Sequence, residues 1–274
     1  MPLIDAEGLS FRYDDMPEGR FALDGASLKI DAGELVAVLG CAGSGKSTLA
    51  RLFNALLPIQ GGRLFVCGCD ARESARVWQL RRNVGMVFTR PGAQLVSSYV
   101  EEELSFGPRC FGAAQDALPA RVDAALSAVG LRGYERRSPQ LLPDGEKQLI
   151  ALAGVLACEA EVIILDDACA FLSPPERARF LSTVLRLHAA GQTIVMMTSR
   201  AEDAALAGRV CVLEGGRILA DGAAREVISN AALLERAGLD IPLPVRAYHA
   251  LSDAGIALGA CPLTLDELVD EVCR

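Results

Sequence analysis

Apolar and polar positions alternate along residues 3 to 30 in two runs, Leu3 to Tyr13 and Ala26 to Ile30, on either side of a polar stretch holding Asp14-Asp15, Pro17 and Gly19. This period-2 pattern predicts antiparallel strands packed beside the main core. Further strands are expected at Leu35 to Leu39, Val84 to Phe88, Val162 to Leu165 and Thr193 to Met197. The continuous apolar run Val162 to Leu165 predicts a strand buried on both faces, as in a parallel sheet. Between them lie helix-compatible segments at Leu49 to Leu57, Val77 to Arg82 and Pro175 to Ala190. A turn is expected at Gly61-Gly62 before a strand from Arg63 to Cys67, and a hairpin joins Arg209 to Leu213 with Arg217 to Ala220 across Gly215-Gly216. Residues 89 to 158 read as a helical insertion broken at Pro91, Gly107-Pro108, Gly112 and Pro143. After Leu239 a helix over Val245 to Ala254 and a last one, with Thr264 and Glu267 suited to a capping box, form a short tail.

The fold class expected is α/β: one large domain over 1–238, with an antiparallel β-subdomain and a helical subdomain at about 89–158, and a C-terminal appendage over 239–274. A length of 274 residues accommodates this. The net charge of −8 argues against a nucleic-acid partner, which needs clustered positive charge. Lys29, Lys46 and Lys147 are the lysines, and the other 24 of the 27 basic residues are Arg. Nine cysteines, an odd number, without a leader-like start, lead us to expect reduced thiols. Cys67-Gly68-Cys69 has no second pair or His cluster to complete a zinc site. The longest uncharged apolar run, Leu149 to Cys158, is too short to span a bilayer, so membrane association is expected through a partner.

The chemistry is concentrated in Gly40-Cys41-Ala42-Gly43-Ser44-Gly45-Lys46-Ser47-Thr48, which fits G-x-x-x-x-G-K-[ST] between a strand and a helix. The glycines let backbone N–H groups turn inward around phosphates, and the following helix adds its positive end. Lys46 suits the β/γ-phosphates, and the Ser47 hydroxyl suits Mg²⁺. The Val162 to Leu165 strand ends in Asp166-Asp167. Paired carboxylates there place Asp166 as a metal ligand and Asp167 where a base is wanted.

These elements together resemble an ABC ATPase, and most closely the ATP-binding subunits of energy-coupling factor importers of vitamins and transition metals. The likeness spans residues 3 to 272. It rests on the phosphate loop, the Asp166 strand, Val84 to Phe88 followed by Gln94-Leu95 and Val100 to Pro108, and the tail from Ala237 to Pro242 through Leu263 to Leu268. The resemblance implies a head-to-tail dimer in which each ATP lies between one subunit's phosphate loop and the other's signature segment. It also implies a membrane transmission subunit, a substrate-binding membrane subunit, and a peripheral place on the cytoplasmic face of the cell membrane.

Carried over residue by residue, the family pattern keeps the adenine-stacking aromatic as Tyr13 but changes elsewhere. Thr89 stands at the glutamine that links metal and membrane subunit. The signature is Leu142-Pro143-Asp144-Gly145-Glu146 instead of L-S-G-G-Q. Asp167 stands for the catalytic glutamate, Ser173 for the aspartate of the next loop, and Ser199 for the switch histidine. An aspartate reaches one methylene less far, and a misplaced base forfeits much of the roughly 10²- to 10⁴-fold that such a group supplies. Ser199 lacks the imidazole donor. Pro143 removes a hydroxyl and an N–H, while Asp144 and Glu146 bring negative charge toward a phosphate site. One like-charge pair at about 4 Å costs on the order of 4 kcal/mol at an effective dielectric near 20. The expectation is a subunit that holds Mg-ATP, hydrolyses it weakly, and pairs with a second, more orthodox ATPase. A competent homodimeric ATPase and a nucleotide-gated regulatory protein without transport are the alternatives.

Overall fold

The computed structural model describes residues 2–256 and 258–273; Met1, Ala257 and Arg274, which the expected division into 1–238 and 239–274 includes, lie outside the described residues. Among the described residues ten strands form two sheets. The first is antiparallel and built from β1 (Ile4–Phe11), β2 (Leu23–Ile30), β4 (Gly61–Val66) and the short β5 (Cys69–Asp70), in the order β2-β1-β4-β5. The second runs β10-β9-β3-β8-β7-β6, from β3 (Leu35–Leu39), β6 (Val84–Val87), β7 (Val162–Asp166), β8 (Thr193–Thr198), β9 (Arg209–Glu214) and β10 (Arg217–Ala223). All neighbours in it are parallel except the β9–β10 hairpin, whose Gly215 and Gly216 both take positive φ.

Eleven α-helices among the described residues accompany the sheets: α1 (Lys46–Phe53), α2 (Val77–Asn83), α3 (Val100–Cys110), α4 (Leu118–Ala128), α5 (Asp144–Ala157), α6 (Pro174–Ala189), α7 (Ala201–Ala204), α8 (Ala224–Ile228), α9 (Ala231–Arg236), α10 (Leu243–Asp253) and α11 (Leu265–Val272). The long apolar runs have a simple cause: the parallel sheet has a core on each side. Along β3, Leu35, Ala37 and Leu39 face the helices of the larger core, while Val36 and Val38 face α1 and the antiparallel sheet. β7, β8 and β9 divide their residues between the same two cores. With both faces buried, no position of these strands has reason to be polar until the strand end.

The structure departs from expectation in several places, among them α1, which runs from Lys46 to Phe53 against the expected Leu49 to Leu57. Gly61 and Gly62 lie inside β4, where a Cβ on Gly62 (φ +83°) would come within 2.4 Å of the Gly8 carbonyl, so the pair marks a close strand approach and the turn precedes it. Gly107 and Pro108 do not break α3, which continues to Cys110; Gly107 lies where a Cβ would be 2.5 Å from Cys158 Sγ, and Pro108 falls in the last turn. α10 starts two residues early, at Leu243, with Pro244 in its first turn, where the missing N–H has no intrahelical partner to lose. Thr264 caps α11, accepting from the Glu267 N–H at 3.2 Å, but the Glu267 carboxylate goes to the N–H of Leu263 and to Arg225 instead of completing the box on Thr264. Within the tail, Leu239, Val245 and Leu263 are buried in the larger core.

Candidate nucleotide site

At the C-terminal edge of the parallel sheet the chain leaves β3 and turns tightly into α1. Gly40 donates its N–H to the Thr198 carbonyl at 3.1 Å, and a Cβ there would come within 2.4 Å of the Leu213 carbonyl. Gly45 precedes α1 with φ +106°, a backbone that L residues rarely adopt. Lys46 is 5 % exposed and donates to the carbonyls of Gly40 (2.7 Å) and Cys41 (3.0 Å). Its ammonium is thereby folded back over the loop. Ser44 Oγ is a buried hydroxyl without a hydrogen-bond partner among the described residues.

Ser47 donates to Asp166 Oδ1 at 2.7 Å, joining α1 to the end of β7. Tyr13 lies across the same opening, its hydroxyl 3.2 Å from Thr48 Oγ1 and its ring edge-on to Phe11. Tyr13, Ala42, Gly43, Gly45 to Thr48 and Asp167 line a cleft of about 630 Å³. Backbone N–H groups at a helix start, a buried ammonium and a hydroxyl–carboxylate pair are the donor set that a Mg²⁺-bearing polyphosphate needs, since Mg²⁺ takes hard oxygen ligands. The residues present fit that group.

Asp167 has left-handed backbone (φ +47°) and donates its N–H to the Met197 carbonyl at 3.0 Å. Aspartate is among the few residues that tolerate this conformation. Burial pushes the Asp167 carboxyl up from its ordinary pKa, with Asp166 adding to the rise, while Lys46 and the Ser199 backbone oppose it. Burial likewise lowers the Lys46 pKa against the pull of Asp167. Desolvation leads on both partners, and their 4.0 Å separation is at the limit of an ion pair, so this is a weak attraction. Behind Asp167 a cavity of about 30 Å³ is lined by Cys169, Ser199 and Asp203 among others, a volume suited to one or two waters. Asp203 is buried and paired with Arg177.

Thr89 turns inward, its hydroxyl donating to the Asp166 carbonyl at 2.8 Å. Ser199 is exposed at the end of β8. Tyr13, residues 40–48, Asp166, Asp167, Thr89 and Ser199 therefore share one edge of the sheet. The segment Leu142 to Glu146 is elsewhere in this chain, at the start of α5. Leu142 is buried, Pro143 and Asp144 are exposed, and Pro143 precedes the helix. Asp144 faces Lys147 at 3.6 Å, and Glu146 accepts from the Tyr134 hydroxyl at 2.8 Å. The N–H of Gly145 is taken by Glu176, at 3.1 Å.

Sequence reasoning passed over Glu176, Tyr134 and Gln148. Gln148 is fully buried and donates to the carbonyls of Phe88 (2.8 Å) and Ala168 (2.9 Å), so α5 fastens both the Thr89 segment and the Asp167 loop. Ser173-Pro174-Pro175-Glu176 carries a readable capping-box signal, S-x-x-E, for the start of α6. Nothing local in sequence points Glu176 at Gly145.

The chain matches the family model described as ABC transporter over residues 23–170. It is 43 % identical over 279 residues to the energy-coupling factor transporter ATP-binding protein EcfA1 of Symbiobacterium thermophilum, covering all of this chain and 97 % of that one. It is 35 % identical to the cobalt import ATP-binding protein CbiO of Syntrophus aciditrophicus, covering 98 % and 96 % of the two chains. Among solved structures, CbiO1 of Clostridium perfringens, described as part of the ABC transporter complex CbiONQ, superposes with a TM-score of 0.77 at 30 % identity over 92 % of this chain and 99 % of that one. A phosphate loop wired to the carboxylate that ends β7, an antiparallel sheet beside a parallel one, and likeness along the whole length agree: the chain belongs to the ABC transporter ATP-binding family, among the energy-coupling factor transporter ATP-binding proteins.

Proposed function

We propose that this chain is the ATP-binding subunit of an energy-coupling factor type importer for a vitamin or transition metal, and that it binds Mg-ATP well but hydrolyses it slowly or not at all by itself. The observation that carries the reading is the assembly of Tyr13, Lys46 and Ser47 around one cleft, with Asp166 bonded to the Ser47 hydroxyl. In this reading Tyr13 stacks on the base and residues 40–48 enclose the phosphates. Ser47 and Asp166 hold Mg²⁺, which when bound neutralises charge on the phosphoryl oxygens. Asp167 takes the position of the base with its carboxyl desolvated and one methylene short, and Ser199 brings no ring donor to the same edge.

The altered signature at Leu142 to Glu146 favours pairing with a second, more orthodox ATPase over a homodimer. Residues 1–238 act as the nucleotide-binding unit, with 89–158 as its helical subdomain, and 239–274 serve as a contact with the neighbouring ATPase. A groove of about 460 Å³ between the edge of the parallel sheet, α3 and α5 is lined by residues that include Leu56, Met86, Phe88, Phe106 and Phe111, with Trp78 exposed beside Phe111. Contiguous exposed apolar surface of this kind marks a protein partner. Here that partner is the membrane transmission subunit, through which the chain sits at the cytoplasmic face, with substrate choice left to a separate membrane subunit. No described helix is long and apolar enough to cross a membrane.

The test measures nucleotide binding calorimetrically and ATP turnover at steady state, first for the chain alone and then co-purified with its membrane and ATPase partners. Tight binding with turnover appearing only in the complex is the expected result. Fast turnover by the isolated chain overturns the reading.

A further inference from the structure

We propose that Glu176 is an internal occupant of the α5 N-terminus, where its carboxylate takes the place of an external phosphate group. The N-terminal turn of a helix carries unpaired N–H groups and a partial positive charge, and it attracts an anion. At α5 that anion is supplied by the chain itself. Glu176 Oε1 accepts from the Gly145 N–H at 3.1 Å. Its other oxygen, Oε2, accepts from the Ser173 N–H at 3.0 Å and the Ser173 hydroxyl at 2.6 Å. One carboxylate thus closes the start of α6 and the start of α5 together.

The fit depends on the residue opposite. A Cβ on Gly145 would fall 2.7 Å from Glu176 Cγ and 2.8 Å from its Cβ, so the glycine lets the whole stem of Glu176 lie against the helix end. Gly145 is buried as a result. The surroundings oppose a second anion: Asp144 and Glu146 stand in the first turn, Pro143 contributes no N–H, and Lys147 is engaged by Asp144. The ligand class excluded is a phosphate oxyanion. Identifying it with the γ-phosphate of a nucleotide on a second ATPase subunit rests on the reading of Leu142 to Glu146 given above. Glu176 then makes the degenerate signature a closed one, and a partner's nucleotide engages α5 only after Glu176 has swung away.

The full-length chain, labelled with ¹⁵N, is titrated with inorganic phosphate in wild-type, E176Q and E176A forms, following the amides of Gly145 and, as an internal control, Gly45 in the phosphate loop. E176Q keeps a residue that the capping box accepts, so a folded variant is secured even where E176A loosens α6. The Gly45 resonance is expected to shift in all three. The Gly145 resonance is expected to respond in both variants at phosphate concentrations about tenfold below those that move it in wild type. Equal midpoints for Gly145 in wild type and variants overturn the proposal. Light scattering with Mg-ATP then separates the two layers. If the variants gain phosphate binding at Gly145 and also self-associate with nucleotide more readily than wild type, both layers stand. If they gain phosphate binding alone, the internal occupant stands and the nucleotide-facing reading of the segment falls.

Discussion

Two helices of this molecule start at a glycine-bearing turn, and they treat the same electrostatic opportunity in opposite ways. α1 begins after Gly45 with no acidic residue in its first turn; the ammonium of Lys46 is bonded to the loop's own carbonyls, and the Asp166 carboxylate accepts from the Ser47 hydroxyl instead of a backbone N–H. α5 begins with Asp144 and Glu146 in its first turn and Glu176 on the Gly145 N–H. A helix N-terminus favours negative charge whatever its source. At α1 the sequence leaves that preference to a phosphate ligand and adds a cation to it. At α5 it satisfies the preference internally, which stabilises the fold and removes the helix end as a phosphate site. On the function proposed above, the α1 end is kept for a nucleotide and the α5 end has become structural.

The largest effect that would break this comparison concerns the kept half. Lys46→Ala removes a charged donor from the cleft, and charge-assisted hydrogen bonds contribute about 1.5–3 kcal/mol. Mg-ATP affinity measured by calorimetry is expected to fall by about 10- to 150-fold. The paired change Asp144→Asn with Glu146→Gln at α5 is expected to leave the affinity of the isolated chain unchanged. If the α5 variant weakened binding as much as the α1 variant, the two helix ends would be serving one nucleotide within a single chain, and the contrast would be wrong.

The kept half was the legible one, for a physical reason. Its determinants are contiguous: strand, glycines, Lys46 and Ser47 follow one another, and the pattern names its own geometry. The strands of the parallel sheet were legible because two cores leave them no polar face. The altered half was legible only as a set of departures. Pro143 and Asp144 could be seen to be unlike a phosphate site, but the carboxylate that fills it is 31 residues away. Its pairing depends on how α6 crosses the start of α5. Gln148 escaped for the same reason, since a helical glutamine looks solvent-facing until its carbonyl partners at Phe88 and Ala168 are in place. The Gly61-Gly62 turn failed because a glycine needed for close strand contact reads locally like one needed for a turn.

A smaller effect sharpens the contrast through pH. Asp167, beside α1, has its carboxyl pushed above the ordinary 3.8 by burial. Glu176, beside α5, is held below the ordinary 4.5 by the Ser173 hydroxyl and the backbone N–H groups of Ser173 and Gly145. The linkage signs are opposite. Between 3.8 and its raised value, the folded chain holds a proton on Asp167 that the unfolded chain has lost, so this group makes stability fall as pH rises. For Glu176 the unfolded chain holds the extra proton, and its contribution is complete above pH 4.5 and lost as pH falls through the lowered value. Urea unfolding from pH 3 to 8 should therefore show Asp167→Asn more stable than wild type at neutral pH and Glu176→Gln less stable. Both differences should close in acid, and differences of the same sign would mean that the two carboxylates do not sit in opposite environments.

The smallest effect tests whether the carboxylate at α5 is held by α6 or merely leans on it. Ser173 bonds Glu176 through both its N–H and its hydroxyl, and Ser173→Ala removes the second and shorter of these bonds, 2.6 Å in length, while leaving the backbone one. Loss of such a cap costs about 1 kcal/mol, a shift in melting temperature of about 2–4 °C for a chain of this size. If α6 positions Glu176 for Gly145, the cost is accompanied by faster hydrogen exchange at the Gly145 amide and by an upward move of the Glu176 pKa toward its ordinary value, both followed by NMR. If the melting temperature falls while the Gly145 amide is unmoved, the clasp between the two helices is made by Gly145 alone and the cap serves only α6. The two outcomes differ in where the anion at α5 comes from mechanically: in the first it is presented by a preorganised helix start, and in the second it is drawn there by the field of α5 itself.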